Sequence, residues 1–200
     1  PPYEINYKEW DKCVEWSFCS RNFNRILKDT GNLIIFQGWS NVARTKTSIQ
    51  CYQPFELKNW IIWDRQKTKN GGKKNFTSAR EDILWFIKSE GYTFNKEDSE
   101  IKKKTKGFGS KNGSDYRRLS NVWTDIGPVM HTMKEYNDYP TQKPLKLMRR
   151  LVRVFSNPGD LILDCFCGSG STIEAAKIEN RNYIGSDDSK KAIALTKSRL

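Results

Sequence analysis

Histidine is nearly missing from this chain, with one in 200 residues. Five cysteines stand at 13, 19, 51, 165 and 167, but no two form Cys-x-x-Cys, and the lone histidine gives them no partner. A structural metal site is therefore not expected. The odd count and irregular spacing also argue against a disulfide framework, so reduced thiols are expected. No apolar run approaches the length of a membrane span, and no signal-peptide pattern opens the chain. A soluble, cytoplasmic protein is the expectation. The Gly-Lys-Ser/Thr turn that cradles ATP phosphates is absent, and so is a full Gly-x-Gly-x-x-Gly dinucleotide turn. No segment repeats.

What the chain has in excess is positive charge, +12 at neutral pH with a sequence pI near 9.5. A surplus of this size suggests a polyanionic partner, nucleic acid first, against the alternative of a merely solvated, self-repelling surface. The length suits one domain with a real core. Short apolar runs at Leu33–Phe36, Trp60–Trp63 and Ile83–Ile87 read as buried strands, and residues 12–28 as a helix. Residues 67–78 read as a polar loop. Residues 95–121 carry Lys102, Lys103, Lys104, Lys106, Lys111, Arg117 and Arg118 among glycines, with no regular core element expected. Leu145–Phe155 has apolar residues at helical spacing, followed by an Asn157–Asp160 turn, a buried strand at 161–163, a helix from Ser171 to Ile178, a strand at 182–185 and a closing helix over 189–200.

The sharpest local signal is Leu161-Ile162-Leu163-Asp164-Cys165-Phe166-Cys167-Gly168-Ser169-Gly170-Ser171-Thr172: strand, acid, glycine turn, helix start. Glycines let a ligand approach the backbone, and a helix N-terminus offers free N–H groups. A second acid, Asp187, follows the next strand, where a ribose hydroxyl acceptor is usual. An acid ahead of the glycines repels a pyrophosphate but suits a cationic amino group. S-adenosylmethionine has such a group, a ribose and no phosphate. The alternative is an ordinary βα turn. Only one helix follows Asp187, so the remaining strands of a doubly wound sheet must come from the N-terminal half, and the order is permuted.

Two further pieces are Pro1-Pro2-Tyr3, which alone fits a turn or a peptide ligand, and Tyr139-Pro140-Thr141-Gln142-Lys143-Pro144. In this order, with Glu9-Trp10-Asp11 and Asn121-Val122-Trp123, the three motifs resemble the β-class DNA amino-methyltransferases over nearly the whole chain. The resemblance implies an α/β, Rossmann-like S-adenosylmethionine-dependent methyltransferase fold, circularly permuted, with a mostly parallel sheet and helices on both faces. It implies a catalytic half at 1–94, a basic target-recognition insertion at 95–138 and a cofactor half at 139–200. It further implies transfer of a methyl group to an exocyclic amine of a flipped base, adenine N6 more than cytosine N4. Pro1, Pro2 and Tyr3 would be catalytic, with Tyr3 stacking on the base. Asp164, Phe166, Gly168, Ser169, Gly170, Ser171, Thr172 and Asp187 would hold the cofactor, with Thr141 and Lys143 near its carboxylate. Phe166 and Lys143 have plainer readings as core and surface residues.

Double-stranded DNA is the implied partner, met by Lys67, Lys69, Lys73, Lys74, Lys102, Lys103, Lys104, Arg117 and Arg118, the two arginines reading base edges. A cognate restriction endonuclease is an optional companion, the oligomeric state is monomer or homodimer, and the source is a prokaryotic cell or phage. Ring-carbon methylation is disfavoured, because the Pro-Cys that carries its nucleophile does not occur. An RNA or protein-amide methyltransferase and an inactive DNA-binding remnant are the rivals. The family's side-chain acceptor stands one place before the first proline, and a central strand precedes it. A chain without them is expected to be a partial sequence, poorly stable and inactive. Tyr139, where the family often has histidine, is expected to matter little.

Overall fold

The reversed strand at the centre of the sheet fixes the architecture. The computed structural model describes residues 1–4, 11–51, 55–65, 74, 76–102 and 116–200. Strands β1 (Asn32–Gln37), β2 (Glu56–Asp64), β3 (Arg80–Ile87) and a short fourth, which we label β6 (Val122–Trp123) after the ribbon β4 (Glu100–Lys102) and β5 (Tyr116–Arg118), make one sheet and one hairpin. The sheet order is β1-β3-β2-β6. Strand β3 is antiparallel to both β1 and β2, while β2 is parallel to β6, so β1, β2 and β6 share a direction and β3 alone runs against them. Strands β7 (Leu161–Asp164) and β8 (Asn182–Gly185) form a separate parallel pair.

Side chains alternate along β3, as they must on a pleated strand. Ile83, Trp85 and Ile87 face one core, which α3 (Leu145–Phe155) covers with Leu147, Met148, Leu151, Val152 and Phe155. Leu84 and Phe86 face the other, with Trp16 of α1 (Trp16–Ile26) and Val42 and Ile49 of α2 (Val42–Gln50). Helices therefore cover both faces of an α/β sheet. Ile83, Leu84, Phe86 and Leu147 are wholly buried, and burial on this scale contributes about 1.5–3 kcal/mol per side chain. Helices α4 (Ser171–Ile178) and α5 (Lys190–Ser198) follow β7 and β8, and Ser189 caps α5 by accepting from Ala192 N–H at 3.3 Å. No helix among the described residues is long and apolar enough to cross a membrane.

Three expectations need correction. The strand at 161–163 is present but not buried: Leu161 and Leu163 are 56% and 42% exposed. The pair β7·β8 has no covering layer over that face among the described residues, so an apolar strand there stays open. The basic segment at 95–121 is not devoid of regular structure, since β4 and β5 bracket it as an antiparallel ribbon. Helix α2 was not expected at all. Its Val, Thr and Ile residues are weak helix formers, yet Val42, Thr45 and Ile49 recur at i, i+3 and i+7 and are buried. Strand β1 is bonded only to β3 and β7 only to β8, so each has one open edge among the described residues.

Candidate active site

Tyr3 is held at every polar atom it has. Its N–H donates to Asp11 Oδ1 at 2.7 Å, and the next N–H, of Glu4, donates to the same oxygen at 2.7 Å. Its carbonyl accepts from Asn41 Nδ2 at 2.8 Å. Its hydroxyl donates to Glu81 Oε2 at 2.6 Å. The turn closes with Glu4 at φ +56°, an uncommon conformation outside glycine. That side chain is anchored by Val14 N–H at 3.1 Å and by an ion pair with Arg44. Gly38, at the end of β1, lies against the ring. Asp11 was noted in sequence only as part of Glu9-Trp10-Asp11, whose first two residues lie outside the described residues.

Glu81 is the second residue of β3 and is only 8% exposed. Because β3 is reversed, its start lies at the same edge as the ends of β1 and β2. Lys143 Nζ reaches Glu81 Oε2 at 3.1 Å, and Arg65 lies 3.6 Å from the other oxygen. Burial pushes the Glu81 carboxyl up, but Lys143, the Tyr3 hydroxyl and Arg65 outweigh it and hold the group below the usual range. Burial and then Glu81 push the Tyr3 phenol well above its ordinary value, so it stays a donor. A carboxyl depressed in the folded state stabilises above its unfolded pKa and stops doing so as pH falls through the folded value. The stability advantage of the unsubstituted protein over Glu81→Gln should thus be full near pH 6 and shrink below about pH 4. Urea unfolding of the two proteins at a series of pH values checks this; a constant difference would refute it.

The glycine turn lies beside the Pro1–Tyr3 segment. Pro1 is close enough to Asp164, Lys143, Asp187 and Glu81 to feel the charge of each. The turn itself is tied inward. Asp164 Oδ1 accepts from Phe166 N–H at 3.0 Å, and Asp187 accepts from Gly168 N–H at 2.9 Å and Ser189 N–H at 3.0 Å. Gly168 and Gly170 both have positive φ, and Gly170 starts α4 with no side-chain cap. The N-terminus of α4 thus keeps N–H groups to offer. Ser169 and Ser171 are buried, and Thr172 is half-buried. Two more residues support this turn, and only the first gave no sequence signal. Thr196 of α5 donates to the Gly168 carbonyl at 3.0 Å. Tyr139 sits on Gly168, and burial, then Asp187, pushes its phenol up to about 12. Its position over the turn gives Tyr139 more consequence than its sequence reading allowed.

A cavity of about 580 Å³ joins the two motifs, lined by Pro2, Val14, Phe18, Cys19, Phe166 and Asp188 among others. Phe166 lines it and packs on Trp16, with ring centroids 6.4 Å apart. Burial pushes the Cys165 and Cys167 thiols up, away from nucleophilic character. Lys143 is spoken for by Glu81 and lies over the rings of Tyr3 and Phe36, at 5.2 and 5.7 Å. Thr141 is exposed, and its carbonyl accepts from Lys143 at 3.4 Å.

The DNA-contact candidates are scattered. Lys67, Lys69, Lys73, Lys103 and Lys104 lie outside the described residues, as does the side chain of Lys102. Lys74, Arg117 and Arg118 are exposed. Neighbours on a strand point to opposite faces, so Arg117 and Arg118 cannot both address one surface of the β4–β5 ribbon.

A family model, N6_N4_Mtase, described as DNA methylase, matches residues 1–198. The DNA adenine methyltransferase YhdJ of Escherichia coli (strain K12) is 32% identical over 223 residues, an alignment covering 100% of this chain and 74% of that protein. The crystal structure of the M1.HpyAVI-SAM complex superposes with a TM-score of 0.70 at 27% identity, covering 100% of this chain and 86% of the other. The PvuII DNA methyltransferase (cytosine-N4-specific) shares the fold, with a TM-score of 0.73 at 18% identity, over 100% and 77% of the two chains.

Proposed function

Since this chain belongs to the N6/N4 family of DNA methylases, we propose that it transfers a methyl group from S-adenosylmethionine to an exocyclic amine of a base in double-stranded DNA, adenine N6 rather than cytosine N4. The observation that carries this is the meeting of the two motifs in one cavity, Pro2 from the Tyr3 segment and Phe166 from the glycine turn. The preference for adenine rests on the name and identity of the Escherichia coli relative.

The residues fit the cofactor. The α4 N-terminus has no side-chain cap, and Asp164, Asp187 and Asp188 surround the turn with negative charge that favours an ammonium group and hydroxyls over phosphate. Bound there, the cofactor supplies an electrophilic methyl group. Asp187 would take the ribose hydroxyls, and Asp164, Phe166 and the Gly168–Thr172 turn would hold the methionine side.

On the other side, Tyr3 offers its ring to a base drawn out of the duplex. The Pro1 carbonyl accepts a hydrogen bond from the amine, which localises a lone pair otherwise delocalised into the base ring. Tyr3 is fixed before the base arrives, so its stabilisation needs no reorganisation at the moment of transfer. Lys74, Arg117 and Arg118 contact DNA in this reading, and residues 95–138 form the recognition region. The reaction takes place in the cytoplasm.

The test is to incubate the full-length protein with the cofactor and unmethylated DNA, digest the DNA, and identify methylated nucleosides by mass spectrometry. N6-methyladenine is expected. N4-methylcytosine would keep the chemistry and overturn the base. No methylated nucleoside, with cofactor binding intact, would move the substrate to RNA or protein.

A further inference from the structure

We infer that Glu81 is a positioning residue for methyl transfer, acting through the Tyr3 hydroxyl to fix the ring on which the base stacks. The inference rests on the transfer proposed above. None of the three sequence motifs contains Glu81, and it does not line the cavity.

The Tyr3 hydroxyl donates to this carboxylate at 2.6 Å, Lys143 pairs with it at 3.1 Å, and the Arg65 guanidinium lies 3.6 Å away. A carboxylate this buried stays ionised only when so surrounded. Glu81 sits on β3, paired with Trp63 of β2 and next to Asp82, which is paired with both β1 and β2, and so it is a rigid anchor. Asp11 and Asn41 fix the backbone of Tyr3 and Gly38 lies against its ring, which leaves the hydroxyl end to be fixed. The hydroxyl bond to Glu81 removes that remaining freedom.

The same carboxylate decides which face of the ring is used. Glu81 holds Lys143 over the ring, 5.2 Å from its centroid. The face that this ammonium covers is thereby closed to a base. The charge-assisted hydrogen bond also draws electron density toward the ring. A base amine gains positive charge as the methyl arrives, and an electron-rich face attracts it. Glu81 exchanges no proton in this role, since the phenol keeps its hydrogen throughout.

The test is a double-mutant cycle of Glu81→Gln and Tyr3→Phe, read as kcat and KM for transfer of labelled methyl groups to unmethylated DNA. Each single variant should lower kcat by roughly 10- to 100-fold, with KM for the cofactor within about 3-fold. The double variant should be no worse than the worse single one, because the two changes break the same bond. Losses that multiply would overturn the inference and reduce Glu81 to a structural residue. Should Glu81→Gln fail to fold, Tyr3→Phe alone decides: it removes one oxygen, and an unchanged kcat would show the hydroxyl to be idle. An unsubstituted protein that transfers no methyl would refute the proposed function, and this inference with it.

Discussion

Alanine at Gly170 is expected to lower the melting temperature by about 5–15 °C and to erase most of the protection that the cofactor gives. Gly170 has φ +80°, where a side chain costs about 1–2 kcal/mol. A Cβ placed there would lie 2.7 Å from Thr196 Oγ1 and 2.9 Å from Thr196 Cα. The second atom is backbone and cannot swing aside. Moving α5 to make room would pull Thr196 from the Gly168 carbonyl it supports at 3.0 Å. Overpacking of this kind adds about 1–3 kcal/mol. Thermal melts with and without S-adenosylmethionine measure both effects. A variant melting within roughly 2 °C of the parent, and equally protected, would show that the turn has another way to relax.

Tyr3→Ala should reduce kcat/KM on the order of 1,000-fold while changing cofactor affinity by less than about 5-fold. Removing an aromatic platform under one base accounts for roughly 10- to 100-fold. The rest comes from the base no longer being held in line, since small misplacements of a reacting group are costly. Glu81 would also lose the hydroxyl that donates to it, keeping only Lys143 and Arg65 beside it. Single-turnover transfer paired with calorimetric cofactor binding separates these effects. If weaker cofactor binding explained the whole loss, Tyr3 would belong to the wrong half of the site.

Much of this was legible in the sequence, and for identifiable reasons. Helix α3 fell at Leu145–Phe155 as expected, because its apolar residues repeat along one face and proline and a turn bound it. Strands β1, β2 and β3 announced themselves as apolar runs. The glycine turn was visible because close backbone approach demands glycine, whatever the surroundings. What stayed hidden was pairing across the chain. Tyr3 and Glu81 are 78 residues apart, and nothing local to Arg80-Glu81-Asp82 distinguishes a buried carboxylate from an exposed one. Thr196 and Asn41 were silent for the same reason. The burial expected at Leu161–Leu163 failed because composition shows that a strand is apolar and not whether anything covers it. Helix α2 was missed because its three buried residues are spread through a polar, β-branched stretch.

The reversal of β3 has a consequence for how such a protein diversifies. The chain leaves β2 at Asp64 and returns to β3 at Arg80, and these two residues are paired. Arg65 N–H bonds to the Ala79 carbonyl at 2.8 Å just beyond them. The connection therefore departs and lands at one place, on the rim beside Glu81 and Tyr3. A stem closed by paired residues tolerates insertion and rewriting between them, because Asp64 and Arg80 keep their places whatever length they join. A connection of another length could be spliced in there without moving Glu81 away from Tyr3.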